Sequence, residues 1–231
     1  SATRLIQVDT GDHNDRLIAR KTKTAEHLTH TGNGHDVTVL DRFFADYLET
    51  RSSDGKDRIH LYRGETSNDM RVDSGTENDL VALRMVTVGN DLKIRTDHGS
   101  DRVYISTTKV GHDVAIDTGT QSDRVGVRGL GAGNNIGIRL GSGHDSLYTH
   151  QVKAKNIYAD AGNGNDKVKM LETHASQDLH VYLGKGNDRF AIENSSALTP
   201  HFGAMKMIAR PASVVTATNA VCFIENSFMQ E

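Results

Sequence analysis

The sequence predicts an all-β chain: a single-stranded parallel β-helix or β-roll solenoid of about 22 residues per coil, closed by a C-terminal cap. Three observations carry that prediction. Twenty-two glycines stand beside two prolines and no tryptophan in 231 residues, among many Asp, Asn, Thr, Val and Ile. Such a composition favours short strands joined by tight turns. Aspartate recurs just before strand-like runs at Asp15, Asp36, Asp57, Asp79, Asp101, Asp123, Asp145, Asp166 and Asp188, in steps of 21 or 22. After each of these anchors, apolar and polar residues alternate with the period of two that a strand requires.

Taken in chain order, the second and fourth positions after the anchors give inward pairs. These are Leu17 and Ala19, Ile59 and Leu61, Val81 and Leu83, Val103 and Ile105, Val125 and Val127, Val168 and Met170, and Phe190 and Ile192. A second series at Glu26, Asp46, Asp69, Asp91, Asp113, Asn135, Asn156 and Asp178 divides each coil into halves of 10 to 12 residues, which implies two corners per coil. Its inward pairs are Met70 and Val72, Leu92 and Ile94, Val114 and Ile116, Ile136 and Ile138, and Leu179 and Val181. The second and third coils fit less well. The run DVTVL after Asp36 reads one residue out of step, and DYLET from Asp46 offers one clear apolar inward residue, so bulges or slips are expected there.

Residues 1–194 thus read as a solenoid of about eight to nine coils, on the order of 40 Å long at about 4.8 Å per coil. The period ends near Asn194. Residues 195–231 read as a C-terminal capping segment with a short helix around 204–210, and the opening ATRLIQV covers the other end. Cys222, the only cysteine, excludes an internal disulfide framework and reads as a buried cap residue. The net charge of −3, from 27 basic and 30 acidic residues, gives no global pull toward nucleic acid or membrane. No apolar run reaches the roughly 20 residues of a membrane helix.

The turns carry the chemistry. ADAGNGNDKV, residues 159 to 168, sets Asp160, Gly162, Gly164 and Asp166 in one tight corner that runs into a strand. Related cores are GSGHD (Gly141, Gly143, Asp145), GKGND (Gly184, Gly186, Asp188) and GNGHD from Gly32 to Asp36. This pattern resembles the hemolysin-type calcium-binding repeats of RTX proteins, whose glycine-rich turns hold calcium in a parallel β-roll. The resemblance extends in degenerate form over most of residues 9 to 192. It implies calcium between successive turns, with Asp145, Asp166 and Asp188 as carboxylate ligands and Asp160 beside them. Gly141, Gly143, Gly162, Gly164, Gly184 and Gly186 would allow close backbone approach. It also implies a secreted or host-directed bacterial protein, such as a toxin, adhesin or effector. This chain departs from the family in its 22-residue coil, in lacking the doubled glycine, and in second-series corners that mostly lack the motif. The plain alternative is that each Asp only caps its turn by accepting backbone N–H bonds.

Directly after six of the anchors stand Arg16, Arg58, Arg102, Arg124, Lys167 and Arg189. Carboxylates stacked about 5 Å apart repel one another, so guanidinium groups are one means of neutralising them. The other reading is a basic stripe that grips an acidic polysaccharide or another polyanion. His35, His112 and His144 each precede an anchoring Asp, but they lie on separate coils and read as solvated turn residues rather than a metal site. No G-x-S-x-G elbow is present. A pectate-lyase-like enzyme would draw on Asp73, Asp117 and Asp160 near outward Arg95 and Arg139. Such folds wall their clefts with long loop insertions, which the strict period here excludes, so a non-enzymatic binding or structural module is the expected function.

Overall fold

Strict alternation gives every coil one apolar and one polar face per strand, and stacking the coils buries the apolar faces together. The computed structural model describes residues 4–203 and 221–226, and all regular structure among them is strand. Two parallel sheets result. The anchor sheet runs from Arg16–Arg20 through Val37–Asp41, Arg58–Tyr62, Leu80–Arg84, Arg102–Val110, Arg124–Ala132, Ser146–Ala154 and Lys167–Ala175 to Asp188–Glu193. The opposite sheet runs from Leu5–Asp9 through Glu26–His30 and seven further strands to Thr199–Gly203. The expected solenoid is present, with neighbouring strands paired at separations of 21 or 22 residues.

Between the sheets lies the predicted filling. Ile59, Leu61, Val81, Leu83, Val103 and Ile105 face Met70, Val72, Leu92, Ile94, Val114 and Ile116, all at most 2% exposed. Each buried Val, Leu or Ile contributes about 1.5–3 kcal/mol relative to exposure. The early coils do not slip. Thr38 and Leu40 occupy the inward positions after Asp36 and pair in register with Leu17, Ala19, Ile59 and Leu61. Leu48 and Thr50 do the same in the opposite sheet. A small hydroxyl residue in the inward position keeps the register and removes the need for a bulge.

A further bend divides the anchor limb, so two corners per coil is an undercount. Lys21, Arg42, Arg63, Met85, Thr107, Gly129, Gln151, Glu172 and Asn194 all adopt φ between 46° and 65°. This column turns the chain before residues such as Val86, Val88 and Val110, which are buried against the core.

At the ends, Leu5–Asp9 is the first rung of the opposite sheet, paired in parallel with Glu26–His30. Thr199–Gly203 extends that sheet by one parallel strand beyond Asp178–Tyr182. Val221–Asn226, which contains Cys222, pairs antiparallel with Asp188–Glu193 and terminates the anchor sheet. The short helix expected at 204–210 falls outside the described residues.

Candidate functional site

Each anchor stands at or just before the start of its strand, two positions before the first inward residue, so alternation points its side chain inward. From Asp36 to Asp188 no anchor is more than 3% exposed. The carboxyls interlock. The backbone N–H of Asp15 donates to Oδ1 of Asp36, that of Asp36 to Asp57, and so on to Asp166 and Asp188, through eight bonds of 2.7–2.9 Å. Asp145, Asp166 and Asp188 therefore stack in one column with the six earlier anchors.

The other carboxyl oxygen is orphaned. In all nine anchors Oδ2 is buried and makes no hydrogen bond of good geometry. From Asp57 to Asp188 burial raises the carboxyls, and the N–H bond to Oδ1 only partly opposes it. Asp57 is pushed up to about 7, Asp79 to about 8, Asp101 to about 6, and Asp123 and Asp166 to about 7. Asp145 and Asp188 are raised for the same reason. The hydroxyls of Ser52, Ser74, Thr96 and Thr118 favour the ionised forms of Asp57, Asp79, Asp101 and Asp123 without offsetting the burial.

The guanidinium explanation fails on geometry. Consecutive strand residues point to opposite faces, so Arg16, Arg58, Arg102, Arg124, Lys167 and Arg189 are all exposed on the outer surface while the anchors point in. None forms an ion pair with an anchor among the described residues. The outer column is also interrupted, by Val37, Leu80 and Ser146.

The glycine turns are closed by backbone contacts. Gly141 and Gly162 take φ of +99° and +89°, and their carbonyls accept N–H bonds from Asn163 (2.8 Å) and Lys185 (2.9 Å). Gly143 and Gly164 donate to Asn163 and Lys185 at 2.8 and 2.7 Å. Gly184 and Gly186 repeat the same conformation one coil on. Asp160 lies elsewhere, at the end of strand Asn156–Asp160 and paired in register with Arg139. Among the described residues no three His, Cys, Asp or Glu side chains converge as a metal cage.

Asp160 belongs to a ladder that sequence reasoning missed. Arg51, Asp73, Arg95, Asp117, Arg139 and Asp160 are successive partners on the outer face of the opposite sheet. Charge alternates at every step. Burial raises the Asp73 carboxyl, while Arg95 and Arg51 on either side favour its ionised form. The five residues that a lyase-like site would use are thus strung one per coil in a row of alternating charge. The signal was available, since alternating Arg and Asp recur at spacings of 22, 22, 22, 22 and 21.

Two of the three turn histidines have structural partners. Nδ1 of His35 accepts the Lys56 backbone N–H at 2.8 Å, and Nδ1 of His144 accepts that of Asn165 at 3.0 Å. Asn14, Asn78, Ser122 and Asn165 bond to the next coil from the same turn position. The second series forms a ladder of opposite polarity: Asp69 accepts from Asp91, Asp91 from Asp113 and Asp113 from Asn135, at 2.9–3.2 Å. No family model, curated protein or solved structure matches this chain. Among the described residues no helix is long and apolar enough to cross a membrane.

Proposed function

We propose that this chain is a non-enzymatic β-solenoid module of a secreted or host-directed bacterial protein, a stiff rod that offers ladder surfaces to a partner. Its interior acidic column is neutralised by protons along most of its length and by calcium at the glycine-rich turns. One observation carries this reading: in nine stacked anchors Oδ2 is buried and unpartnered, and among the described residues no Lys or Arg forms an ion pair with any of them. Stacked ionised carboxylates in a low-dielectric interior repel strongly, so the column holds counter-charge or protons.

The donor set suits a hard cation, because Oδ2 of Asp145, Asp166 and Asp188 supplies oxygens of the type that calcium prefers. Each turn supplies one carboxylate, so an ion would bridge two successive coils, and the carbonyls of Gly141 and Gly162 would exchange their present N–H bonds to join it. The secreted, host-directed setting follows the RTX resemblance.

Elemental analysis of the purified chain, with thermal melting in calcium and in EDTA, tests the calcium assignment. Calcium bound in the Gly141–Asp188 stretch raises stability by about 2.7 kcal/mol at a hundred times its Kd. A calcium-free chain whose melting is the same in both buffers would remove calcium from the account.

A further inference from the structure

On the opposite sheet, Arg51, Asp73, Arg95, Asp117, Arg139 and Asp160 alternate in sign from coil to coil, whereas over the later coils of the anchor sheet the outward cations have few acidic neighbours. On the four long strands Arg102–Val110, Arg124–Ala132, Ser146–Ala154 and Lys167–Ala175, Arg102, Lys109, Arg124, Arg128, Lys153 and Lys167 are exposed, and none has an ion-pair partner among the described residues. Lys169 pairs with Glu193 at 3.4 Å, and His150 lies 3.6 Å from Glu172, the only acidic residue on these strands. Arg102 and Arg124 are direct register partners. Like charges so placed destabilise a sheet.

Two exposed aromatic rings sit within this field. Tyr104 and Tyr148 are 45% and 40% exposed, and both pair with Gly126 on the strand between them. A side chain on Gly126 would begin 3.1 Å from Cδ1 of Tyr104, so glycine leaves room for that ring to lie over the intervening strand. His150 flanks Tyr148, with ring centroids 6.5 Å apart. The result is a pair of exposed rings bordered in register by Arg102 and Arg124 on one side and by Arg128 and His150 on the other.

We infer that this face binds a linear acidic polysaccharide, a polyuronate or sulfated glycan. Its sugar rings would pack on Tyr104 and Tyr148, and its carboxylates or sulfates would meet Arg102, Arg124 and Arg128. Guanidinium groups engage such planar anions in bidentate fashion, while tyrosine presents a rigid ring to the C–H face of a pyranose. Single-stranded nucleic acid is gripped along grooves with a base stacked on each successive platform; these strands carry two exposed tyrosine rings. Duplex DNA is read by an element that enters a groove, and a flat sheet face supplies none. The inference rests on the binding-module reading and specifies its ligand and surface.

The test is calorimetric titration of the full chain with alginate, heparin, neutral dextran and a single-stranded oligonucleotide, in wild type, Arg124→Ser/Arg128→Ser, Tyr104→Ala/Tyr148→Ala and Arg95→Ser. Melting curves and circular dichroism are recorded for each variant. The expected result is salt-sensitive binding of alginate or heparin, no binding of dextran, and weaker binding of the oligonucleotide. The arginine pair should lose at least about tenfold in affinity, and the tyrosine pair should lose several-fold with its salt dependence retained. Arg95→Ser, on the opposite sheet, should bind as wild type does. If the folded arginine variant binds acidic glycans as wild type does, or if the oligonucleotide binds more tightly than both glycans, the inference is overturned and the module reading stands. Depolymerisation of alginate by the wild-type chain would instead overturn the module reading.

Discussion

An interior aspartate is costly, and here one side-chain oxygen repays part of the cost by accepting a backbone N–H that would otherwise be buried without a partner. Asp123 illustrates the exchange: its Oδ1 takes the N–H of Asp101 at 2.8 Å while its own N–H goes to Asp145 at 2.7 Å. Asp123→Ala at pH 5 should lose about 1–3 kcal/mol, because the Asp101 N–H is left unpaired in the interior. Asp123→Asn keeps an acceptor and cannot ionise. It should be nearly neutral at pH 5 and more stable than wild type at pH 8, as read from denaturant midpoints. Equal losses for Ala and Asn would show that the hydrogen bond is not what the side chain supplies.

The two sheets were legible in the sequence because the signals for strands are local: an Asp at the turn, then period-two alternation. The corner columns were less legible. Glycine announces the Gly141, Gly162 and Gly184 turns, but the additional bend is occupied by Lys21, Arg42, Arg63, Met85, Thr107, Gln151 and Glu172, none a turn-forming residue. Only Gly129 and Asn194 carry the usual mark of a left-handed conformation there. The expected slip after Asp36 came from reading Thr38 as outward; a threonine fits an inward position when the flanking register is fixed by Leu17 and Ile59. Likewise, the proximity of Arg58 to Asp57 in sequence hid their separation by the sheet itself. For the turns, Gly162→Ala should cost at least about 2 kcal/mol, since φ is +89° and the new Cβ would lie 1.8 Å from the Gly141 carbonyl oxygen. Gly131→Ala, which meets nothing within 4 Å, should stay within about 0.5 kcal/mol. Thermal melting of both variants checks the contrast, and equal effects would mean that the coils do not stack as closely as described.

For the whole molecule, the ladders set both stiffness and response to pH. Raised carboxyls bind protons in the folded chain that the unfolded chain has already released. Stability is therefore fullest below about pH 4, the ordinary aspartate range, and falls as pH rises through about 6 to 8, where Asp101, Asp57, Asp123, Asp166 and Asp79 give up theirs. Neighbouring charges adjust the individual steps without changing the sign. Asp36 and Glu77 raise Asp57, and Asp97 raises Asp101. His144 favours the ionised forms of Asp145 and Asp166. Calcium at Asp145, Asp166 and Asp188 would displace protons and flatten the fall at its own end of the rod.

The most direct measurement is the melting temperature from pH 4.5 to 8.5 in EDTA. One proton retained per pH unit is worth about 1.4 kcal/mol, and each kcal/mol moves Tm by about 2–4 °C in a chain of this size. The predicted result is a decline of at least about 3 °C per pH unit through the neutral range, reduced in Asp101→Asn/Asp123→Asn. A melting temperature that stays level or climbs over that range would contradict an acidic column neutralised by protons.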